Sequence, residues 1–193
     1  MNCIKVGKLI FELRKEKAMT QKQLGDAMGI SDKTISKWER GLGCPDVSLL
    51  RELSVILGVN IEKILLGNLE PNETDGGNMK RLKFYVCPSC GNILTATGDA
   101  EVSCCGRKLV PLVAQLCDEM HKQSTEEIED DFYITLEHEM TKEHYISFVA
   151  CVTYDRVLLI KLYPEQSCAV RFPRVNGAKI YFYCNKDGLM TIK

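Results

Sequence analysis

Four cysteines in this chain have the spacing of a metal site. Cys87-Pro88-Ser89-Cys90 is followed, after residues 91–103, by the adjacent pair Cys104-Cys105. A C-x-x-C turn points its two sulfurs at one spot and brings backbone N–H groups onto them, so four thiolates can converge on one tetrahedral ion. The ligand set suits iron or zinc and leaves both open. Gly91 and Gly106 follow the two halves, as tight turns beside thiolates require. A second group is less regular. All three histidines, His121, His138 and His144, lie in the C-terminal half, as does a late cysteine, Cys184. A single histidine is most often an ordinary surface or core residue. Three of them near a cysteine, beside a metal knuckle, leave open both a second metal site and ordinary histidines.

The elements that must position these residues are short and β-rich. From Phe84 onward, runs at Phe132–Leu136, Tyr145–Thr153, Val157–Leu162, Ala169–Phe172 and Lys179–Tyr183 are each bounded by turn residues. They predict a small knuckle followed by a β-sandwich. The acidic stretch 117–131 reads as a loop leading into a strand. Residues 68–82 contain Pro71, Gly76, Gly77 and several Asn and acidic residues, which is linker composition.

Before that linker the apolar residues recur at helical spacing: Val6, Ile10 and Leu13, then Leu24, Ala27 and Met28, then Leu49, Leu50, Leu53 and Leu57. Thr20 with Gln23 forms a capping-box pattern that predicts a helix from Gln21 to about Met28. Gly29 supplies a turn, and Ser31 or Asp32 caps a second helix running from Lys33 to Arg40. Two short helices joined by a tight glycine turn match the helix-turn-helix, whose second helix enters the major groove of DNA. Gln21, Ser31, Asp32, Lys33, Thr34, Ser36, Lys37 and Arg40 are the candidate DNA-contacting residues, while Ile35 and Trp38 face inward. Charge agrees in sign: residues 1–67 hold 11 Lys/Arg against 8 Asp/Glu, and residues 68–193 hold 14 against 18.

Composition excludes disorder, with 45% hydrophobic and 26% charged residues. The opening Met1-Asn2-Cys3-Ile4-Lys5 runs straight into a charged amphipathic pattern, and no apolar run approaches the roughly 18 residues of a membrane span. The expectation is a cytoplasmic protein without membrane contact. In that setting the ten cysteines read as metal ligands or thiols rather than a disulfide framework. Cys3, Cys44, Cys117, Cys151 and Cys168 are expected as buried, small apolar residues, with Cys44, beside Pro45, open to oxidation.

Two resemblances extend this reading. The string MTQKQLGDAMGISDKTISKWERGLGCPDVSLLRELSVILGVNIEKIL resembles the Xre/Cro-type repressors, which implies a five-helix domain that binds a double-stranded operator as a homodimer. The stretch FYVCPSCGNILTATGDAEVSCCGRKLVPL is similar to the desulforedoxin knuckle of desulfoferrodoxins, and LEHEMTKEHYISFVA with KIYFYCNKDGLM to their superoxide-reductase domain. That implies an iron on Cys87, Cys90, Cys104 and Cys105, and a second iron with equatorial histidines and an axial cysteine. The family's H-x5-H falls on His138 and His144, its cysteine on Cys184 and its earlier histidine on His121. Its C-N-x-H-G motif has Asp187 where the family has histidine.

The expected architecture is therefore multidomain: an all-α helix-turn-helix domain over 1–67, a linker over 68–82, a four-cysteine metal knuckle over 83–113, and an all-β, immunoglobulin-like sandwich over 114–193. The expected function is a DNA-binding regulator with an iron-binding module responsive to superoxide, redox state or iron. The alternatives are a superoxide reductase tethered to DNA, and a regulator with structural zinc and a β-domain that only dimerises or binds a partner.

Overall fold

A computed structural model describes residues 1–72, 77–118 and 121–192. Part of the expected linker (73–76), part of the acidic stretch (119–120) and the last residue therefore lie outside the described residues. The chain divides into two compact units, Met1–Pro71 and Asn72–Lys193.

The first unit is helical: α1 (Cys3–Glu16), α2 (Gln21–Ala27), α3 (Asp32–Glu39), a 3-10 turn (Val47–Leu49), α4 (Leu50–Leu57) and α5 (Ile61–Leu66). The capping box forms: Gln23 N–H donates to Thr20 Oγ1 at 3.1 Å, and Thr20 N–H to Gln23 Oε1 at 2.8 Å. Ser31, rather than Asp32, caps α3. Val6, Ile10, Leu24, Ile35, Leu53 and Ile64 are fully buried in one core. Glycine sets the helix packing. A side chain at Gly7 would put its Cβ 1.9 Å from the Trp38 carbonyl oxygen, so only glycine lets the first turns of α1 lie against the end of α3.

That approach corrects the reading of two cysteines. Cys3 and Cys44, expected as separate buried thiols, are joined in a disulfide. Cys3 opens α1, Cys44 lies just beyond α3, and the Gly7–Trp38 contact brings these two places together.

In the second unit two hairpins precede a sandwich. β1 (Lys83–Val86) pairs with β2 (Ile93–Ala96), and β3 (Val102–Cys104) with β4 (Arg107–Leu109). The sandwich comprises a three-stranded sheet, β10 (Ala169–Pro173), β7 (Asp131–Leu136) and β6 (Gln123–Ile128), and a five-stranded sheet, β5 (Gln115–Leu116), β12 (Gly188–Thr191), β11 (Lys179–Cys184), β8 (Ile146–Val152) and β9 (Val157–Lys161), each in that spatial order. Most pairings are antiparallel; β12 with β5 is parallel. The acidic stretch read as a loop supplies the whole of β6, whose side chains are mostly exposed.

β8 is buried on both faces, which is unusual for an antiparallel sheet and has a local cause. Val149 and Cys151 point into the core between the sheets. Phe148, Ala150 and Val152 point outward, where Phe84 of β1 covers them. The Phe84 ring stacks on Phe148 at 5.6 Å between centroids and lies 5.5 Å from Tyr181. The knuckle is thus fastened to the sandwich by an aromatic cluster.

Candidate metal centres and nucleic-acid interface

The two hairpins hold the four cysteines. Cys87 directly follows β1, and its N–H donates to Asn92 O at 2.9 Å while Gly91 N–H returns to Cys87 O at 2.8 Å, folding Cys87 and Cys90 into one turn. The adjacent cysteines have a different device. Cys104 pairs with Arg107 at the end of the β3–β4 hairpin, leaving Cys105 and Gly106 as a two-residue loop with φ of 51° and 75°. Two positive φ values in succession are those of a type I′ turn, and they swing the Cys105 sulfur round to its neighbour's side.

Cys90 Sγ lies 3.6 Å from Cys104 Sγ, which lies 4.0 Å from Cys105 Sγ. All four sulfurs fall within 4.8 Å of one another. Tetrahedral thiolates about 2.3 Å from an ion stand roughly 3.8 Å apart, so this spacing fits. Burial opposes the Cys87 thiolate, but N–H groups of Ser89 and Cys90 and the thiols of Cys90 and Cys104 outweigh it and bring Cys87 down to about 6. Hydrogen bonding with Cys90 and Cys87 pushes Cys105 up to about 12.

The second cluster gathers at one end of the sandwich. His138 and His144 lie in the loop between β7 and β8, Cys184 ends β11, Asp187 sits in the turn before β12, and His121 precedes β6. Their ligand atoms also fall within 4.8 Å of one another. Asn185 holds two of the loops together: its Oδ1 accepts Tyr145 N–H and its Nδ2 donates to Glu143 O, both at 2.9 Å. His144 Nε2 is 3.2 Å from His138 Nε2, 3.1 Å from Cys184 Sγ and 2.8 Å from Asp187 Oδ2.

Proton placement tests whether these residues fit a metal. The His121 Nδ1 donates to Asp118 Oδ1 at 2.7 Å, which leaves its Nε2 as a lone pair. That atom is buried, has no hydrogen-bond partner, and faces Asp187 Oδ2 at 3.3 Å. His144 Nδ1 likewise bonds Glu139, turning its Nε2 toward the same carboxylate. Acceptors that face one another call for a cation between them, and carboxylate-oriented imidazoles are the usual surroundings of a bound metal. His138 differs. Its Nδ1 accepts Met140 N–H at 3.2 Å, which in a neutral ring puts the proton on Nε2, inside the cluster.

Burial pushes the Cys184 thiol up to about 11. The hydrogen bond from the Cys184 thiol holds Asp187 below the usual carboxylate range. Asp118 and Glu139 escaped the sequence reading, and Asn185 entered it only as a member of the C-N-x-H-G motif, without a role. Asp118 was signalled only by lying three residues before His121, and Glu139 only by adjoining His138.

On the helix-turn-helix, Ser31, Asp32, Lys33, Lys37 and Arg40 are exposed and Thr34 and Ser36 half-buried. Several are occupied within the fold. Ser31 Oγ accepts Thr34 N–H at 3.2 Å, and Arg40 Nε donates to Ser36 O at 3.2 Å. Gln21 Nε2 donates to Glu39 Oε2 at 2.7 Å. Lys33 and Lys37 present their side chains on the exposed face of α3. No helix among the described residues is long and apolar enough to cross a membrane.

Residues 10–64 match the helix-turn-helix family HTH_3. The chain is 27% identical to a desulfoferrodoxin of Clostridium acetobutylicum over 116 residues, which is 56% of this chain and 93% of that protein. It is 35% identical over 78 residues to the HTH-type transcriptional activator BcrR of Enterococcus faecalis, covering 39% of this chain and 38% of that activator. Among solved structures, the superoxide reductase from Treponema pallidum superposes with a TM-score of 0.50 at 23% identity, over 58% of this chain and 98% of that one, and so shares the fold. The chain carries an HTH_3 helix-turn-helix domain followed by a desulfoferrodoxin-like β domain with a cysteine knuckle.

Proposed function

We propose that the protein is a sequence-specific transcriptional regulator, acting in the cytoplasm as a homodimer on a double-stranded operator, whose C-terminal module holds iron and makes operator binding respond to superoxide, redox state or iron supply. The single observation that carries the reading is the pairing, in one chain, of a capped helix-turn-helix with exposed Lys33 and Lys37 and a donor cluster in which buried His121 Nε2 faces Asp187 without a hydrogen bond.

On this reading Cys87, Cys90, Cys104 and Cys105 hold one iron, and His121, His138, His144, Cys184 and Asp187 a second. Iron supplies a one-electron ferrous–ferric couple when bound. The chain's own residues set its terms. Asp118 and Glu139 keep the protons of His121 and His144 on Nδ1, so both Nε2 atoms stay available. The Cys184 thiol donates to Asp187 at 3.1 Å and must release that proton to become a ligand. A carboxylate in place of an imidazole hardens the donor set and adds negative charge, which favours the ferric state and lowers the reduction potential. A low potential suits a centre that changes state once and reports it, more than one that turns over.

The deciding experiment is metal analysis with visible absorption on protein purified without oxygen and then exposed to air, run beside binding to duplexes selected from a random-sequence library. About one iron per cluster, thiolate-to-iron charge-transfer bands that change in air, and duplex affinity that changes with them are the expected results. Zinc alone, colourless and indifferent to air, overturns the redox reading and leaves a regulator with a structural metal. Rapid superoxide consumption by the ferrous protein, with unchanged duplex affinity, would favour a reductase.

A further inference from the structure

The Cys3–Cys44 bond belongs to neither metal cluster; the other eight cysteines are free thiols. It lies in the helical unit and links residues 41 apart, so that the ring it closes contains all of α1, α2 and α3. Both residues are partly exposed and within reach of small solutes. The packing that brings them together does not depend on the bond. Gly7 seats α1 on the Trp38 carbonyl, Ile4 fills the space beside Gly41, and the buried Arg14–Glu39 pair joins α1 to α3. Leu9, Ile10, Leu13, Ile35 and Trp38 share one core. A disulfide laid over an interface already closed by packing is placed to be made and broken without unfolding the domain.

We propose that Cys3 and Cys44 are a reversible dithiol–disulfide pair, oxidised by hydrogen peroxide, that sets how firmly the exit of α3 is tied to the start of α1 and thereby tunes DNA affinity. The effect on DNA rests on the DNA-binding reading above; the thiol chemistry does not. Cys3 is the first residue of α1, where the positive end of the helix dipole favours a thiolate. That thiolate attacks one peroxide oxygen, the O–O bond breaks, and hydroxide leaves and takes up a proton to become water. The resulting sulfenic acid is attacked by Cys44, the S–S bond forms, and the sulfenic oxygen leaves as a second water. Two thiols and one peroxide give one disulfide and two waters. A dithiol reductant reverses the change by exchange through a mixed disulfide.

The consequence follows from position. Arg40 caps α3, Leu42 N–H donates to Lys37 O at 2.9 Å, and Cys44 comes two residues later. The bond restrains the segment that leaves the recognition helix and holds it in one arrangement before DNA arrives. Preorganisation of that kind strengthens binding, so the oxidised form is the tighter binder.

The test uses the full chain, purified without oxygen in dithiothreitol. One portion is treated with stoichiometric hydrogen peroxide, free thiols are blocked with a maleimide, and the peptides are mapped. The expected result is a Cys3–Cys44 linked peptide after peroxide, both residues alkylated after dithiothreitol, and unchanged helical circular dichroism in both states. Duplexes selected from a random-sequence library by each state are then titrated. After peroxide the unsubstituted protein is expected to bind about fivefold more tightly than Cys3→Ser or Cys44→Ser treated in the same way, the lower end of usual coupling between sites, and after dithiothreitol equally; any dependence on state that the variants keep belongs to the metal module. No linked peptide, loss of helix on reduction, or equal affinity of the unsubstituted protein and the variants after peroxide overturns the proposal. If neither state selects any duplex, the effect on DNA falls together with the DNA-binding reading, while the peptide map still decides the pair's chemistry.

Discussion

His121 Nε2 and Asp187 Oδ2 face each other 3.3 Å apart at the end of the sandwich, one buried lone pair against one carboxylate oxygen. Filling the gap with a cation satisfies both. Asp187→Ala is expected to lower metal affinity at this cluster by more than the about 10–100-fold that follows loss of an outer group orienting a ligand. Asp187→His removes a negative charge and returns an imidazole, so the potential of a bound iron is expected to rise. Redox titration followed by visible absorption reads both, and a potential unchanged in Asp187→His would exclude Asp187 as a ligand.

The three histidines are expected to rank. His121 and His144 have their Nδ1 protons fixed by Asp118 and Glu139, whereas His138 spends Nδ1 on accepting Met140 N–H and must give up that bond to ligate through Nε2. Metal affinity should therefore fall more in His121→Ala and His144→Ala than in His138→Ala. Competition with a chelator measures this, and the reverse order would show that the His138 ring turns over on binding.

Cys104→Ser is expected to remove the metal of the knuckle and leave the second cluster loaded, because the two share no ligand. Phe84→Ala tests the joint between knuckle and sandwich. Phe84 is 1% exposed and covers Phe148, so truncation should cost about 3–5 kcal/mol. Denaturant titration of the full chain, followed by the knuckle's absorption, separates lost metal from lost packing.

Lys37→Ala is expected to weaken duplex binding without changing metal content. If its ammonium meets a phosphate, the slope of log affinity against log salt should fall by about 1. If it meets a base, affinity should fall for some sequences and not for others. An affinity unchanged at all salt concentrations would remove Lys37 from the interface.

How much of this was legible depended on whether the signal was local. Thr20 with Gln23, the helical spacing of Leu24 with Met28, and that of Ile35 with Trp38 each act within a turn or two of the chain, and the helix-turn-helix followed from them. The knuckle was legible because its signals are local: Cys87 and Cys90 share one C-x-x-C turn, and Cys104 and Cys105 enter a hairpin turn marked by Gly106. β6 was not: as the outer strand of the three-stranded sheet, with few buried residues, Gln123–Ile128 lacks the apolar alternation that marks a half-buried strand. Nor was the Cys3–Cys44 bond, which depends on a glycine in α1 meeting a carbonyl in α3. Asp118 and Glu139 gain their meaning only from which ring atoms they touch.

Arg14 and Glu39 supply the last prediction. Both side chains are 4% exposed, and the guanidinium meets the carboxylate through two bonds, at 2.5 and 2.9 Å, with a third donor from Gln21 at 2.7 Å. Burial alone would raise the Glu39 carboxyl, but these hydrogen bonds outweigh it and hold the group below its ordinary range. Its stabilising contribution is then fully present above the unfolded value, about 4.3, and is lost as pH falls through the lower folded value. Glu39→Gln leaves Arg14 buried without its counter-charge, so at neutral pH it should destabilise the helical unit by about 3 kcal/mol. It should also flatten the acid side of the stability profile. Trp38, the only tryptophan and part of that core, reports the transition by fluorescence in the full chain. If native and variant proteins lost stability in parallel below about pH 4, the carboxylate would not be the group that titrates.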